Sequence, residues 1–214
     1  MPTHDTLIVD FITAGPFQTN LYVVGCAQTK QGAIVDAGWD APALLGMVQT
    51  HGLELSKVLQ THAHIDHVAA LSEVISAHPV PLFLHPDDKP LYDGVVQQGA
   101  MFGLPINTLP QVTDWLEDGQ VLELGALEAR VILLPGHSPG SVVFYFEQQG
   151  VMMSGDVLFQ GSIGRTDLPG GSWPAMQASL AKLMTYPDDT VVYCGHGPST
   201  TIGRERRTNP FLDA

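Results

Sequence analysis

The chain has 214 residues, of which 44% are hydrophobic and only 14% charged, so it can bury a sizeable core and intrinsic disorder is excluded. The 22 acidic residues outnumber the 9 basic ones, and the formal net charge of −13 argues against nucleic acid and anionic lipid as partners. The two cysteines, Cys26 and Cys194, have no CxxC spacing, which excludes a disulfide framework and a cysteine-rich zinc site.

Apolar periodicity predicts strands and helices in blocks rather than in strict alternation. In the N-terminal half we predict strands at 7–12, 21–24, 33–35, 57–60 and 81–84, and helices at 40–51 and 68–77. Residues 87–104 are the least regular stretch and predict a loop with a short helix. In the C-terminal half we predict strands at 121–124, 128–134, 142–147, 151–153 and 191–193, and helices at 173–184 and 200–207. This order, without a repeat or a linker, indicates two β-layers with helices packed outside.

The chain shows no targeting or membrane segment in its sequence. Residues 1–5 have neither the basic region nor the apolar stretch of a secretory signal. No apolar run approaches the ~18 residues that a membrane span needs. We therefore expect a soluble cytoplasmic protein with no membrane partner.

Five of the nine histidines lie in three short segments, each after an apolar run that predicts a strand. Such strand ends are where a rigid scaffold presents functional side chains. The densest segment reads His-x-His-x-Asp-His and comprises His62, His64, Asp66 and His67. Asp66 could instead cap the helix that follows, but a cap needs one residue and leaves three histidines unexplained.

Imidazole and carboxylate groups are ligands for zinc, iron and manganese. His62 and His64 are two residues apart in an extended segment, so both side chains point the same way and can bind one ion. The chain then turns, which lets Asp66 and His67 reach a second ion. A carboxylate can bridge two cations, and Asp156 in Ser-Gly-Asp is the candidate bridge.

His137 and His196 lie between glycine and proline residues, in Pro-Gly-His-Ser-Pro-Gly and Gly-His-Gly-Pro. These flanking residues fix tight turns and let the backbone approach a ligand. Either histidine alone is more often a plain loop residue. Together with the first cluster, both are interpreted as metal ligands.

Four motifs resemble those of the metallo-β-lactamase superfamily, in order along nearly the whole chain: Thr61-His62-Ala63-His64-Ile65-Asp66-His67, Gly136-His137-Ser138-Pro139-Gly140, Gly155-Asp156 and Gly195-His196-Gly197. The resemblance implies an α+β fold, an αββα sandwich of two mixed sheets with helices on the outer faces and the metals at one edge. It also implies a role for each ligand. His62, His64 and His137 would bind the first metal, Asp66, His67 and His196 the second, with Asp156 bridging.

Within this superfamily the chain resembles the short bacterial members of the glyoxalase II branch. The similarity lies in Gly161-Ser162-Ile163-Gly164-Arg165-Thr166-Asp167 and in Arg207-Thr208-Asn209-Pro210-Phe211-Leu212. Glyoxalase II hydrolyses S-D-lactoylglutathione to D-lactate and glutathione, and its full-length form adds a helical domain that binds glutathione. Only eighteen residues follow His196, so we expect a single domain over 1–214 without that addition. The identity of the thiol in the substrate is therefore left open.

The sequence therefore predicts a metal-dependent thioester hydrolase. A hydroxide that bridges two divalent ions would attack a thioester carbonyl. We expect the ions to be zinc, with iron or manganese as alternatives. Asp66 is the candidate catalytic residue, since it would orient that hydroxide. The expected partner is a small-molecule thioester, and the oligomeric state is left open.

Three other functions compete. A persulfide dioxygenase, which this chain also resembles, would use one iron bound by His62, His137 and Asp156. A lactonase, β-lactamase or phosphodiesterase would use the same two-metal site, and a non-catalytic metal-binding protein would only hold the ions. Outside the ligands, Arg165 and Asp167 are interpreted as a pair that holds a loop.

Further candidates at the periphery have structural interpretations. The arginines of the last helix would complement its dipole rather than meet substrate carboxylates, and they are Arg204, Arg206 and Arg207. The large apolar residues that could line a pocket are interpreted as core or rim, and they are Trp39, Met101, Phe102 and Trp173.

Overall fold

Two six-stranded mixed β-sheets form the centre of the structure, a computed structural model that describes residues 6–212. The first sheet has the strand order β1-β2-β3-β4-β5-β6, with bounds Leu7–Ala14, Thr19–Cys26, Gln31–Val35, Glu54–Leu59, Leu82–Leu84 and Asp114–Trp115. Neighbouring strands among β1, β2 and β3 pair antiparallel, whereas those among β3 to β6 pair in parallel.

The second sheet has the order β14-β13-β10-β9-β8-β7. In chain order β7 to β10, β13 and β14 span Val121–Leu124, Leu127–Leu133, Val142–Phe146, Val151–Gly155, Val191–Cys194 and Thr200–Thr201. A small hairpin of β11 (Leu158–Phe159) and β12 (Ser162–Ile163) stands apart. Strands β10 and β13 are parallel and the other neighbours antiparallel, so this sheet is mixed too.

Parallel strand pairs need a crossover, and helices supply it here. The helices α1 to α6 span Ala41–Thr50, Ile65–Val68, Leu71–Ala77, Lys89–Met101, Trp173–Leu183 and Ile202–Thr208. The first four connect the parallel strands β3 to β6, and α5 lies between β10 and β13.

The core has three layers of contact. Between the sheets, Val24 and Val35 pack with Phe144 and Phe146. The outer face of the first sheet packs against α1, α3 and α4, and that of the second against α5 and α6. Both faces of β2 are therefore covered, and all eight of its residues are buried. The predicted αββα sandwich with helices on the outer faces is confirmed.

The prediction for residues 87–104 was wrong, because α4 is a regular helix of 13 residues. Its apolar pattern is weak, since only Tyr92, Val95 and Gly99 are buried along it. Gly99 has no side chain to signal that face, yet a Cβ there would collide with Leu104 and Ile106, so the following loop packs directly on the helix.

The helix predicted at 68–77 begins earlier and is broken. Helix α2 starts at Ile65, and Ala69 and Ala70 separate it from α3. His64 is the N-cap of α2, and Asp66 lies inside its first turn. Asp66 therefore does not cap the helix, and Asp66 and His67 lie on a helix rather than on a plain turn.

No helix within residues 6–212 is long and apolar enough to cross a membrane. The prediction about a secretory signal concerns residues 1–5, which lie outside the described residues.

Candidate metal centre

The predicted ligand segments meet at one edge of the sandwich because of the strand directions. Strands β8, β10 and β13 run the same way, since β9 is antiparallel to both β8 and β10, and β13 is parallel to β10. His137, Asp156 and His196 follow these three strands. His62 and His64 follow β4 of the first sheet, so both sheets contribute to one cluster.

The first group of the cluster comprises His62, His64 and His137, all buried. His137 Nε2 lies 2.7 Å from His64 Nδ1 and 3.2 Å from His62 Nε2. The three ring nitrogens thus converge on one point, as ligands of a shared ion would.

The second group comprises Asp66, His67 and His196. Asp66 Oδ2 lies 3.4 Å from His67 Nε2 and 3.2 Å from His196 Nε2. Asp156 lies between the groups, with Oδ2 3.4 Å from both His137 Nε2 and His196 Nε2, and Oδ1 3.4 Å from His67 Nε2. The structure therefore brings all seven predicted residues together at one place.

Asp36 orients two of these histidines from behind. Its Oδ2 accepts hydrogen bonds from His67 Nδ1 at 2.8 Å and from the Thr61 hydroxyl at 2.7 Å. Because the Thr61 hydroxyl donates to Asp36, its oxygen accepts from His62 Nδ1 at 3.1 Å. Nδ1 of each ring therefore carries a proton, and Nε2 of His62 and His67 faces the cluster as the atom available to a metal.

Backbone carbonyls orient the two histidines that follow strands of the second sheet. His137 Nδ1 donates to the carbonyl of Arg165 at 2.8 Å, and His196 Nδ1 donates to that of Gln18 at 3.3 Å. A carbonyl can only accept, so each ring carries a proton on Nδ1, and Nε2 faces inward as the atom that could bind a metal.

Buried polar atoms without a hydrogen-bond partner test whether these residues fit a metal ion. His67 Nε2 and Asp156 Oδ1 are buried and make no hydrogen bond. Such atoms carry a large desolvation cost unless a cation meets them. Ring nitrogens of five histidines and oxygens of two carboxylates converge in the same space, and the cluster fits a dinuclear metal site.

The two groups have opposite electrostatics in the metal-free chain. Burial, helped by neighbouring rings, lowers the pKa of His62 well below its usual value and that of His64 to about 3. Burial also opposes charge on His67 and His196, but the surrounding carboxylates outweigh it. They raise the pKa of His67 and bring the pKa of His196 to about 10. His62 and His64 are therefore neutral at pH 7, whereas His67 and His196 are protonated when no metal is bound.

Asp88 joins two ligand-bearing loops and was missed by the sequence analysis. It is fully buried, and its Oδ2 accepts from the Ala63 amide and the Ser138 hydroxyl, both at 2.8 Å. Its Oδ1 accepts from the Gly140 amide at 2.6 Å. Burial raises the pKa of Asp88. No local pattern marked this residue, whereas Asp36 had a signal, a carboxylate directly after the buried strand β3.

Gly195 explains one close approach in the cluster. A Cβ at this position would overlap Oδ1 of Asp156. The glycine before His196 therefore lets the Asp156 carboxylate lie between the two groups.

A cavity of about 280 Å³ opens onto the cluster. Besides the ligands, its walls are Phe17, Ile65, Gln98, Phe102, Arg165 and Leu168. Phe102 was interpreted as core or rim, and it lines the cavity instead. Arg165 donates twice to Asp167, both at 2.7 Å, in agreement with the loop-holding interpretation.

The arginines of α6 do not line this cavity. Arg206 donates to the carbonyls of Met184 and Tyr186, and Arg207 lies 3.7 Å from Asp188. Their interpretation as structural residues agrees with these contacts.

Comparison with known proteins agrees with this geometry. A model of the family described as "Metallo-beta-lactamase superfamily" matches residues 14–196. A curated relative from Haemophilus influenzae, "Hydroxyacylglutathione hydrolase GloC", is 35% identical, over 96% of this chain and 98% of its own length.

Two solved structures are also similar. TTHA1623 "in a di-iron-bound form" is 44% identical, with a TM-score of 0.88, over 95% of this chain and 100% of that one. The "BLEG-1 B3 metallo-beta-lactamase" is 39% identical, with a TM-score of 0.89, over 97% of this chain and 100% of that one.

Proposed function

Because the chain belongs to the metallo-beta-lactamase superfamily, we propose that it is a metal-dependent hydrolase that cleaves a thioester of the S-D-lactoylglutathione type. The observation that carries the proposal is the orientation of the histidines. His62, His67, His137 and His196 each donate from Nδ1 to an outer oxygen and turn Nε2 inward. This is the orientation of metal-ligating histidines, in which an outer acceptor holds Nδ1 and Nε2 is the ligand atom.

The residues present assign two ligand sets. His62, His64 and His137 would bind one ion, Asp66, His67 and His196 the other, and Asp156 would contact both. We propose zinc, with iron or manganese as alternatives. Two divalent cations bound at this place would lower the pKa of a bound water and polarise the carbonyl of a substrate.

Asp66 has the catalytic role in this proposal. Thr19 Oγ donates to Asp66 Oδ2 at 2.8 Å, and that oxygen faces His67 and His196. Its neighbours outweigh burial and lower the pKa of Asp66 to about 2, so it is a carboxylate at neutral pH. The other oxygen can accept a hydrogen bond from the attacking water and orient it towards the thioester carbonyl. A thiolate leaves readily, so no strong general acid is needed.

A single iron bound by His62, His137 and Asp156 is the oxidative alternative. It would leave Asp66, His67 and His196 converging without a role. Nε2 of His67, which is buried and has no hydrogen-bond partner, favours the two-ion assignment.

The first experiment measures metal content per chain and steady-state hydrolysis of S-D-lactoylglutathione on one sample. We expect about two ions per chain and activity that chelation removes. His64→Ala should lose activity by roughly 100-fold or more, because it removes a ligand. His78→Ala is the matched control, since His78 is exposed at the end of α3 and should behave as wild type.

Other results would redirect the assignment. About one iron per chain, with oxygen consumed on a persulfide and negligible hydrolysis, would replace the hydrolase with a dioxygenase. Faster turnover of a chromogenic β-lactam than of the thioester would move the substrate class towards that of BLEG-1.

A further inference from the structure

The outer wall of the metal cavity is apolar and comes from two distant parts of the chain. Phe17 lies in the turn between β1 and β2, and Phe102 ends α4. Their ring centroids are 6.2 Å apart in an edge-to-face contact. Ile65 and Leu168 continue this wall towards the ligands.

Both aromatic rings are unusually accessible for their size. Phe17 is 41% exposed and Phe102 is 58% exposed, at the mouth of a cavity that leads to the metal cluster. Exposed aromatic area beside a reactive site gains free energy when an apolar group covers it. The occupant that can cover it during a reaction is the substrate itself.

The cavity offers little to a charged substrate tail. Among the residues lining the cavity, all within 6–212, Arg165 is the sole lysine or arginine, and Asp167 already takes two of its hydrogen bonds at 2.7 Å. A glutathione thioester carries two carboxylates, which need free cationic or amide partners when they are held close to a protein. Apart from the metal ligands and Arg165, the Gln98 amide is the one such group among these lining residues.

We propose that the cavity selects a thioester whose portion against Phe17 and Phe102 is an uncharged apolar chain, in preference to glutathione. The inference rests on the proposed thioester hydrolysis and specifies its substrate class. Phe17 and Phe102 are the specificity-determining residues that contact the apolar part of the substrate. Leu168 and Ile65 extend this contact towards the metal ligands.

The test begins with binding, which is independent of turnover. Calorimetry on the metal-loaded protein compares three non-hydrolysable thioethers: S-hexyl-N-acetylcysteamine, S-methyl-N-acetylcysteamine and S-methylglutathione. We expect the hexyl compound to bind about tenfold or more tighter than its methyl analogue, because each fully buried methylene gives a gain of roughly fourfold. It should also bind tighter than S-methylglutathione.

Variants of the cavity wall show which residues produce the tighter binding of the hexyl compound. Phe102→Ala should remove most of the hexyl-over-methyl preference, Phe17→Ala should reduce it, and Phe102→Leu should retain it. Met101→Ala is the matched control, because Met101 precedes Phe102, is 75% exposed and does not line the cavity. Metal content should stay unchanged in all four variants.

Kinetics completes the test with hexanoyl and acetyl thioesters of N-acetylcysteamine and with S-D-lactoylglutathione. A larger kcat/KM for the hexanoyl thioester, lost in Phe102→Ala, supports the inference. Tighter binding of S-methylglutathione, or a hexyl preference that survives Phe102→Ala, overturns it while leaving thioester hydrolysis intact. An intact hexyl preference without hydrolysis of any thioester overturns the proposed function and leaves the apolar specificity standing.

Discussion

Asp36 shows how one buried carboxylate can set the state of several ligands. It has a positive φ of 61°, which is costly for a residue with a side chain, and its carboxylate accepts from the Thr61 amide, the Thr61 hydroxyl and His67 Nδ1. The strain is tolerated because these three donors fix the residue. The tautomers of His62 and His67 follow from this one residue.

Replacing Asp36 tests that dependence. Asp36→Asn keeps the shape but has one acceptor oxygen, so it cannot accept from the Thr61 amide as well as from the Thr61 hydroxyl and His67 Nδ1. We expect metal affinity to fall by about 10- to 100-fold with the fold retained. Competition with a chromogenic chelator measures the affinity, and circular dichroism checks the fold. Affinity equal to wild type would show that Asp36 does not orient the ligands.

The raised pKa values of His67 and His196 predict that metal binding releases protons. At pH 7 the metal-free protein holds protons on His67 and His196, whose pKa values are raised, that of His196 to about 10. An ion entering this group must displace them, so its affinity rises as the pH rises. His62 and His64 have lowered pKa values and release none.

Calorimetry in buffers of different ionisation enthalpy counts the released protons. His196→Ala should lower the count by about one per chain. Release that is the same in wild type and in His196→Ala would contradict the assignment of the proton to this residue.

At the scale of elements, Asp88 connects the short 3-10 turn before α4 to the loops that follow β4 and β8. Its partners Ala63, Ser138 and Gly140 flank metal ligands on both loops. The two sheets meet at this carboxylate, so it sets the spacing between His62, His64 and His137.

Asp88→Ala should therefore lower both stability and binding. Three buried donors would lose their acceptor, and we expect the free energy of unfolding to fall by about 2–4 kcal/mol, measured by urea titration. Binding of the first ion should weaken as well. Asp87→Ala is the control, since Asp87 is the exposed neighbour. An Asp88→Ala protein with wild-type stability would contradict the bridging role.

At the scale of the molecule, the metal cluster joins the two sheets at one edge, but the sandwich does not depend on it alone. Tyr22 of the first sheet donates to the Cys194 carbonyl of the second at 2.7 Å, and Asn20 donates to the same carbonyl at 3.0 Å. The buried contacts between the sheets continue away from the site.

Metal removal should therefore lower the melting temperature without unfolding the protein at 25 °C. Ions present at about 100 times Kd add roughly 2.7 kcal/mol by mass action. Thermal unfolding with and without chelator measures the difference, which should shrink in His64→Ala and persist in His78→Ala. Loss of the folded state on chelation at 25 °C would show that the core alone is insufficient.

The sequence by itself determined the ligand types, the segments that carry them and most of the strands. These are local properties. Hydrophobic runs and turn residues specify strands wherever they occur, and His-x-His-x-Asp-His places four ligand-type side chains within six residues. The resemblance to a known family then supplied the αββα arrangement and the division of the ligands into two groups.

Only the tertiary structure decided which residues support and surround that site. Asp36 and Asp88 act through partners 25 to 52 residues away, and the wall formed by Phe17 and Phe102 joins a turn to a helix end. Helix α4 carries too weak a pattern to be predicted, because a loop packs on its glycine. Long-range contacts of this kind leave no local pattern, since they depend on how the sheets pack together.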